Sequence, residues 1–213
     1  GLVGRAVVEW GEQQIALLEP DTSHRLQVRA IEGDEIREAL LRDRGYSRGG
    51  DGEAYFAHSL DRTISGSALP AGFDVRHVDG EPEWEARVQA HREVWHPSSM
   101  TFEAYRRLRT LPGYQPELDL VVTAPDGEIA AYCIVWWDER AGTGEFEPVG
   151  TRKKYRGMGL GRSLVGEGLR RLQARGAHSA VVYTPRSNEP AVALYEACGF
   201  QVTCEAYLWT DAA

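Results

Sequence analysis

Pro148-Val149-Gly150-Thr151-Arg152-Lys153-Lys154-Tyr155-Arg156-Gly157-Met158-Gly159-Leu160-Gly161-Arg162-Ser163-Leu164 is the stretch that decides the fold. A short apolar strand runs into a basic, glycine-dense turn, and a helix begins near Leu160. Gly157, Gly159 and Gly161 carry no Cβ, so backbone N–H groups can close on an anion, and the helix adds the positive end of its dipole. A pyrophosphate suits such a turn. A Walker loop is excluded because no Lys-Ser/Thr pair follows the last glycine, and the G-x-G-x-x-G dinucleotide fingerprint is not met.

The pattern that does fit is Arg-x-x-Gly-x-Gly, read as Arg156, Gly159 and Gly161. Further along, Asn188 precedes Ala193-Leu194-Tyr195-Glu196-Ala197-Cys198-Gly199-Phe200. On these two ordered motifs the chain resembles the GNAT superfamily of acetyl-CoA-dependent N-acyltransferases, over residues 70–213. The resemblance implies an α/β fold, a central mixed sheet flanked by helices, with acetyl-CoA as cosubstrate. In that family the pantetheine arm lies between two splayed parallel strands. Backbone contacts then fall to Val149 and Thr151, and pyrophosphate contacts to Arg156, Gly157, Met158, Gly159, Leu160, Gly161 and Arg162, with Asn188 in the same binding set. Tyr195 matches the family's tyrosine acid in Leu-Tyr-x-x-x-Gly-Phe. A phenol has the higher reference pKa, ~10 against ~8.5 for a thiol, so its proton moves as the C–S bond breaks and not before. Two positions depart from the pattern: Thr151 stands where relatives often have a branched apolar residue, and Pro148 has no N–H to donate.

Thr143 to Thr151 reads as the central strand, with Glu145 and Glu147 on one face, roughly 7 Å apart along it. Paired carboxylates on a strand are usually solvated edge residues. On a strand that runs into a cofactor loop, an ionised carboxylate is also a proton acceptor for an ammonium substrate. Resemblance to the tandem, mycothiol synthase-like members at Gly-Glu-x-x-x-Val-Gly points to Glu145 as base, with Glu147 as the alternative. The expected activity is acetyl transfer to a primary amine of a small molecule or peptide. The alternative is a non-catalytic acyl-CoA-binding or protein-interaction module of the same fold, and Glu145 with Tyr195 favours the enzyme.

Composition narrows the partners. With 42% hydrophobic and 26% charged residues the 213-residue chain is globular, and it has no apolar run that spans a bilayer and no basic-then-apolar start. The cytoplasm is the expected compartment. A formal charge of −8 argues against nucleic acid as the main partner. Local charge reverses only at Arg152, Lys153, Lys154, Arg156 and Arg162, beside the proposed phosphate turn. Cys133, Cys198 and Cys204 lack metal-ligand spacing and make an odd count, so free thiols and no metal are expected. A small-molecule amine is the expected partner, without membrane or nucleic acid, and a homodimer is compatible with the sequence.

Elsewhere, periodicity predicts a helix over residues 1–20 through Val3, Val7, Trp10 and Leu17, stopped by Glu19-Pro20-Asp21. A strand at Leu26, Val28 and Ala30, and a helix from Ile36 to Gly45, follow. A Gly-Gly-Asp-Gly turn is expected before a strand from Ala54 to Leu60. Residues 67–72 read as a linker, and Phe73 to Val78 as a strand. Two helices follow, one carrying Trp84, Val88, His91 and Trp95, the other capped by Thr101 and ended by Pro112-Gly113. Pro125-Asp126-Gly127 marks a hairpin leading to Trp136-Trp137, whose indoles alternate to opposite faces; core packing is expected for both, and the alternative is one lining the acceptor pocket with the other under a helix. Residues 73–213 form the catalytic domain. Residues 1–66 read as a partial, degenerate GNAT-like half-domain, because Glu38-Ala39-Leu40-Leu41-Arg42-Asp43-Arg44-Gly45-Tyr46 aligns with Val192 to Phe200, with Leu41 in the place of Tyr195.

Overall fold

The computed structural model describes residues 2–17, 25–64 and 67–211. The expected stop at Glu19-Pro20-Asp21 lies outside them. In chain order the elements are α1 (Leu2–Ala16), β1 (Gln27–Ile31), α2 (Glu35–Asp43), β2 (Tyr46–Ser59), β3 (Asp74–His77), α3 (Trp84–Val94), α4 (Phe102–Leu108), β4 (Asp119–Thr123), β5 (Ile129–Asp138), β6 (Thr143–Thr151), α5 (Leu160–Ala174), β7 (Ser179–Pro185), α6 (Glu189–Ala197) and β8 (Gln201–Asp211). They pack as two compact units. One comprises Gly1–Phe56, Tyr183–Val192 and Val202–Ala213; the other comprises Ala57–Val182 and Ala193–Gln201. Among the described residues no helix is long and apolar enough to cross a membrane.

In the first unit β1 and β8 pair antiparallel, from Gln27 opposite Thr210 to Ile31 opposite Ala206. Val8, Ala30, Leu40, Leu41, Tyr46 and Trp209 close its core. Asp34 caps α2 by accepting from the Arg37 N–H at 3.0 Å. Two expectations are corrected here. The apolar stripe of α1 faces solvent, with Val3 79% and Trp10 62% exposed, and the helix buries Val8 instead. The Gly-Gly-Asp-Gly segment is no turn, because β2 runs unbroken from Tyr46. Its glycines serve close approach: a Cβ on Gly49 would stand 3.1 Å from the Leu208 carbonyl oxygen, and one on Gly52 would stand 2.7 Å from the Tyr207 ring.

The second unit holds a mixed sheet with strands in the order β7-β6-β5-β4-β3. The β3–β4, β4–β5 and β5–β6 pairs are antiparallel. The β6–β7 pair is parallel. Each of β4's five residues is buried, as is most of β5, which is why both read as near-continuous apolar runs. One face packs on α5 through Leu164, Val165, Leu169 and Leu172. Gly168 allows the close approach there, since a Cβ on it would stand 2.5 Å from the Phe146 ring. The other face packs on α3, where Val78, Ala90, Val121, Ile129 and Tyr132 form a cluster with Trp84 and Val94 against it. Thr101 caps α4 as expected, its hydroxyl accepting from the Ala104 N–H at 3.1 Å. The Pro125-Asp126-Gly127 hairpin also forms, with Gly127 at φ 84°.

Candidate active site

The site begins with β6. Its parallel ladder to β7 joins Thr143, Gly144 and Glu145 to Ser179, Ala180 and Val181 within the second unit, and β6 continues to Thr151. On the opposite edge Val135 faces Phe146 while Cys133 faces Val149. Two steps along β5 therefore match three along β6, and the extra residue makes a bulge at Glu147-Pro148. Glu147-Pro148 is a cis peptide bond. The Glu147 carbonyl receives the Trp136 indole N–H at 2.7 Å. Beyond the bulge, Val149, Gly150 and Thr151 pair with Cys133, Tyr132 and Ala131 of β5 and carry β6 into the turn.

The glycine-rich turn follows. After a short 3₁₀ segment at Lys153–Tyr155, Gly157 and Gly159 adopt left-handed conformations, φ 78° and 77°, and a Cβ on either would meet nothing within 4 Å. Gly159 is the N-cap of α5, so the first N–H groups of that helix point out of the turn without intrahelical acceptors. Gly161 sits close to the Leu194 side chain, 3.2 Å from where its Cβ would stand. Arg156 folds back, its Nε donating to the Thr151 carbonyl at 3.2 Å, which ties the turn to the strand end.

The basic cluster divides. Arg152 is paired with Glu93 at 2.7 Å and Glu128 at 2.9 Å. Lys154 is paired with Glu128. Lys154, and then the Tyr155 hydroxyl at 2.6 Å, hold the Glu128 carboxyl down to about 2. Lys153, Arg156 and Arg162 have no carboxylate partner among the described residues, so they carry the positive charge that remains at the turn.

The carboxylates lie upstream on β6. Glu145 stands opposite Trp136 and lines a cleft of ≈ 900 Å³ whose walls include Pro112, Gly113, Trp136, Trp137 and Val181. Both indoles are half-buried and face this cleft, which corrects the expectation of core packing. Glu147 is exposed by surface area, yet the protein crowded around its carboxyl raises its pKa above the usual range, and the Glu145 charge adds to the shift. Tyr195 is buried, its ring 6.0 Å from that of Phe200. Burial, and then the charge of Glu147, push its phenol above the ordinary range. Asn188 lies in the other unit, where its side-chain amide donates to Thr184 Oγ1 at 3.3 Å. Among the described residues no group of His, Cys, Asp and Glu could hold a metal ion.

Sequence reading missed a buried polar network beside the cleft. Asp119 is 0% and Arg87 2% exposed, and they pair at 3.2 Å. Tyr105 and Tyr114 donate to the other Asp119 oxygen, with Arg109 3.6 Å from it. The Tyr114 ring in turn stands edge-on to Trp136, centroids 6.2 Å apart. The signal was present: Arg87 falls on the Trp84–His91 stripe of α3, and Asp119 opens an apolar strand.

A mixed sheet with one parallel pair, whose central strand runs through a glycine turn into a glycine-capped helix, defines an α/β protein with an anion-binding turn. The family model for the Acetyltransferase (GNAT) family matches residues 83–200, more than half of the chain, and the chain belongs to that family. A mycothiol acetyltransferase of Corynebacterium aurimucosum is 29% identical over 90% of this chain and 61% of its own length. One from Arthrobacter sp. is 31% identical over 66% of this chain and 46% of its own. The chain thus spans about half to three-fifths of these curated relatives. Among solved structures, a GCN5-related N-acetyltransferase from Sphaerobacter thermophilus superposes with TM-score 0.80 at 24% identity, over 98% of this chain and 67% of that one. A tandem GNAT protein from the clavulanic acid biosynthesis pathway gives TM-score 0.77 at 16% identity, over 95% and 68%.

Proposed function

We propose that this chain catalyses acetyl-CoA-dependent N-acetylation of a primary amine on a small molecule. The observation that carries the reading is the glycine turn between β6 and α5, with its two left-handed glycines and the helix N-terminus at Gly159. In this reading the N–H groups of the turn take the pyrophosphate, and backbone groups of Val149 and Thr151 at the end of β6 take the pantetheine arm. The residues present therefore fit acetyl-CoA, which when bound supplies a thioester activated toward an amine. Glu145, at the cleft, takes the proton of the incoming ammonium directly or through water, with Glu147 as the alternative base. Tyr195 stays protonated at any ordinary pH because its pKa is raised, and it donates to the departing sulfur as charge develops there. The relatives named mycothiol acetyltransferase support a small-molecule acceptor.

Calorimetry with acetyl-CoA tests the turn: Gly159→Glu abolishes binding without unfolding the chain. A panel of amines scored for CoA release tests the chemistry. Tyr195→Phe lowers kcat roughly 10²-fold at unchanged acetyl-CoA affinity, and wild-type turnover in that variant would make the role of Tyr195 structural.

We further infer that residues 1–66 are the trailing half of a second, degenerate GNAT repeat, joined through 67–72 to the catalytic domain at 73–213. Matching element lengths support this. Helix, strand, helix and strand run 15, 5, 9 and 14 residues from α1 to β2, against 15, 7, 9 and 11 from α5 to β8. Both short helices end before a left-handed glycine, Gly45 at φ 81° and Gly199 at φ 90°, followed by a buried aromatic, Tyr46 or Phe200. Leu41 in place of Tyr195 removes the acid from the first half, so one active site is expected.

A further inference from the structure

A cavity of ≈ 500 Å³ lies beside the first turn of α5, between the end of α6 and residues 57–63, with His58, Asp61, Arg62, Thr63, Arg162 and Cys198 in its wall. Arg62 and Arg162 bring two guanidinium groups to it, and neither has a carboxylate partner among the described residues. The one carboxylate in the wall, Asp61, is engaged by the Ser59 hydroxyl at 2.9 Å. His58 adds a buried Nδ1 with no hydrogen-bond partner among the described residues. In a chain of formal charge −8, two free arginines facing one cavity form a local positive site.

Arg162 belongs to the pyrophosphate turn by its backbone, and its side chain reaches this cavity. CoA carries a further phosphate on the ribose 3′-oxygen, only a few bonds from the 5′-pyrophosphate. Resting on the cosubstrate reading above, we propose that the cavity receives the CoA 3′-phosphate, with Arg62 and Arg162 as its donors. Forked, planar guanidinium groups match the oxygens of a phosphate, and two of them compensate its two charges. Arg62 lies outside residues 83–200 matched by the family model, so its contact is a feature of this chain and not of the family motif.

The test is calorimetry on the full chain with CoA and with 3′-dephospho-CoA, for wild type, Arg62→Ala and Arg162→Ala. Both arginines are exposed, so thermal unfolding of the variants serves as a check that the fold is intact. Wild type binds CoA roughly tenfold more tightly than 3′-dephospho-CoA. Arg62→Ala loses that factor for CoA and leaves the affinity for 3′-dephospho-CoA unchanged, whereas Arg162→Ala, which also takes charge from the pyrophosphate turn, weakens both nucleotides, CoA by the larger factor. Equal weakening of both nucleotides, or a 3′-phosphate preference that survives Arg62→Ala, overturns the subsite and leaves the pyrophosphate turn standing. If wild type binds neither nucleotide, the cosubstrate reading falls and the subsite falls with it.

Discussion

The indole N–H of Trp136 donates to the backbone carbonyl of Glu147 at 2.7 Å, across the point where β6 gains its extra residue. A bulge leaves ladder groups unpaired, and this bond supplies the partner that the regular β5–β6 ladder cannot. The same indole meets Tyr114, which donates to Asp119, so the cleft wall, the bulge and the buried carboxylate are mechanically continuous.

Trp136→Phe keeps an aromatic ring in the cleft and removes the donor. The loss of one such bond costs about 1 kcal/mol of stability. The larger effect falls on acetyl transfer, because the Glu147 peptide is no longer held. Urea denaturation and steady-state kinetics check the pair of outcomes; an unchanged kcat would restrict Trp136 to packing.

Asp119→Ala strands Arg87 in the interior. The surviving guanidinium is 2% exposed and loses its anion, and removing one partner of such a pair costs about 3–5 kcal/mol. Chemical denaturation is the measurement. Arg87 also stacks 3.8 Å from the Tyr132 ring centroid, so Asp119→Asn, which keeps an acceptor and the volume, is the milder variant.

How much of this was legible in the chain differs by kind of feature. The strand–turn–helix around Gly159 was readable because left-handed glycines and a helix start have local sequence causes, and the structure places both there. Thr101 and Asp34 were equally local, each capping through its own side chain. The Arg87–Asp119 network was not read, because its members come from α3, α4 and β4 and only the folded sheet brings them together. The β6 bulge escaped for the same reason, since register is a property of two strands. The Gly49–Gly52 segment misled because glycine signals both turns and close approach, and a neighbouring Tyr207 decides which.

Glu147→Gln gives up a group the fold holds against its preference. Burial raises its pKa in the folded chain, so as pH climbs past the unfolded value of 4.5 the unfolded state releases its proton first and stability falls. Once pH exceeds the raised folded value the loss is complete and constant. The glutamine variant lacks this loss and melts higher than wild type near neutral pH, an advantage that shrinks as pH falls through the raised folded value and is gone below 4.5. Thermal melts across pH for both proteins read it directly. Glu145→Gln removes part of the repulsion, and NMR titration then finds Glu147 closer to the usual carboxylate range.

His91 sets an acid-side dependence of the opposite origin. Its ring is half-buried against Tyr132, with Nδ1 3.2 Å from the hydroxyl, and burial with the Arg87 charge lowers its pKa from 6.5 to about 4. Between those values the unfolded chain takes up a proton that the folded chain refuses, so stability falls as pH drops through this window. His91→Gln flattens that slope in the same denaturation series. A slope that survives the substitution assigns it to another group.

In the proposed repeat β8 goes with residues 73–213; by packing, it belongs with α1, β1 and α2, since its partner is β1 and its Trp209 sits among Val8, Leu40, Leu41 and Tyr46. A chain starting at Ser67 therefore keeps the glycine turn and Tyr195 yet loses the five residue pairs from Gln27–Thr210 to Ile31–Ala206. It also bares Ala206 and Trp209, which are 1% and 4% exposed in the full chain. An unpaired strand with an uncovered apolar face both weakens the fold and invites association. The expected result is a fragment that binds a hydrophobic dye and melts without a cooperative transition, whereas the full chain melts sharply. A fragment with a sharp transition and native acetyl-CoA affinity would mean that β8 is held by residues 67–213 alone.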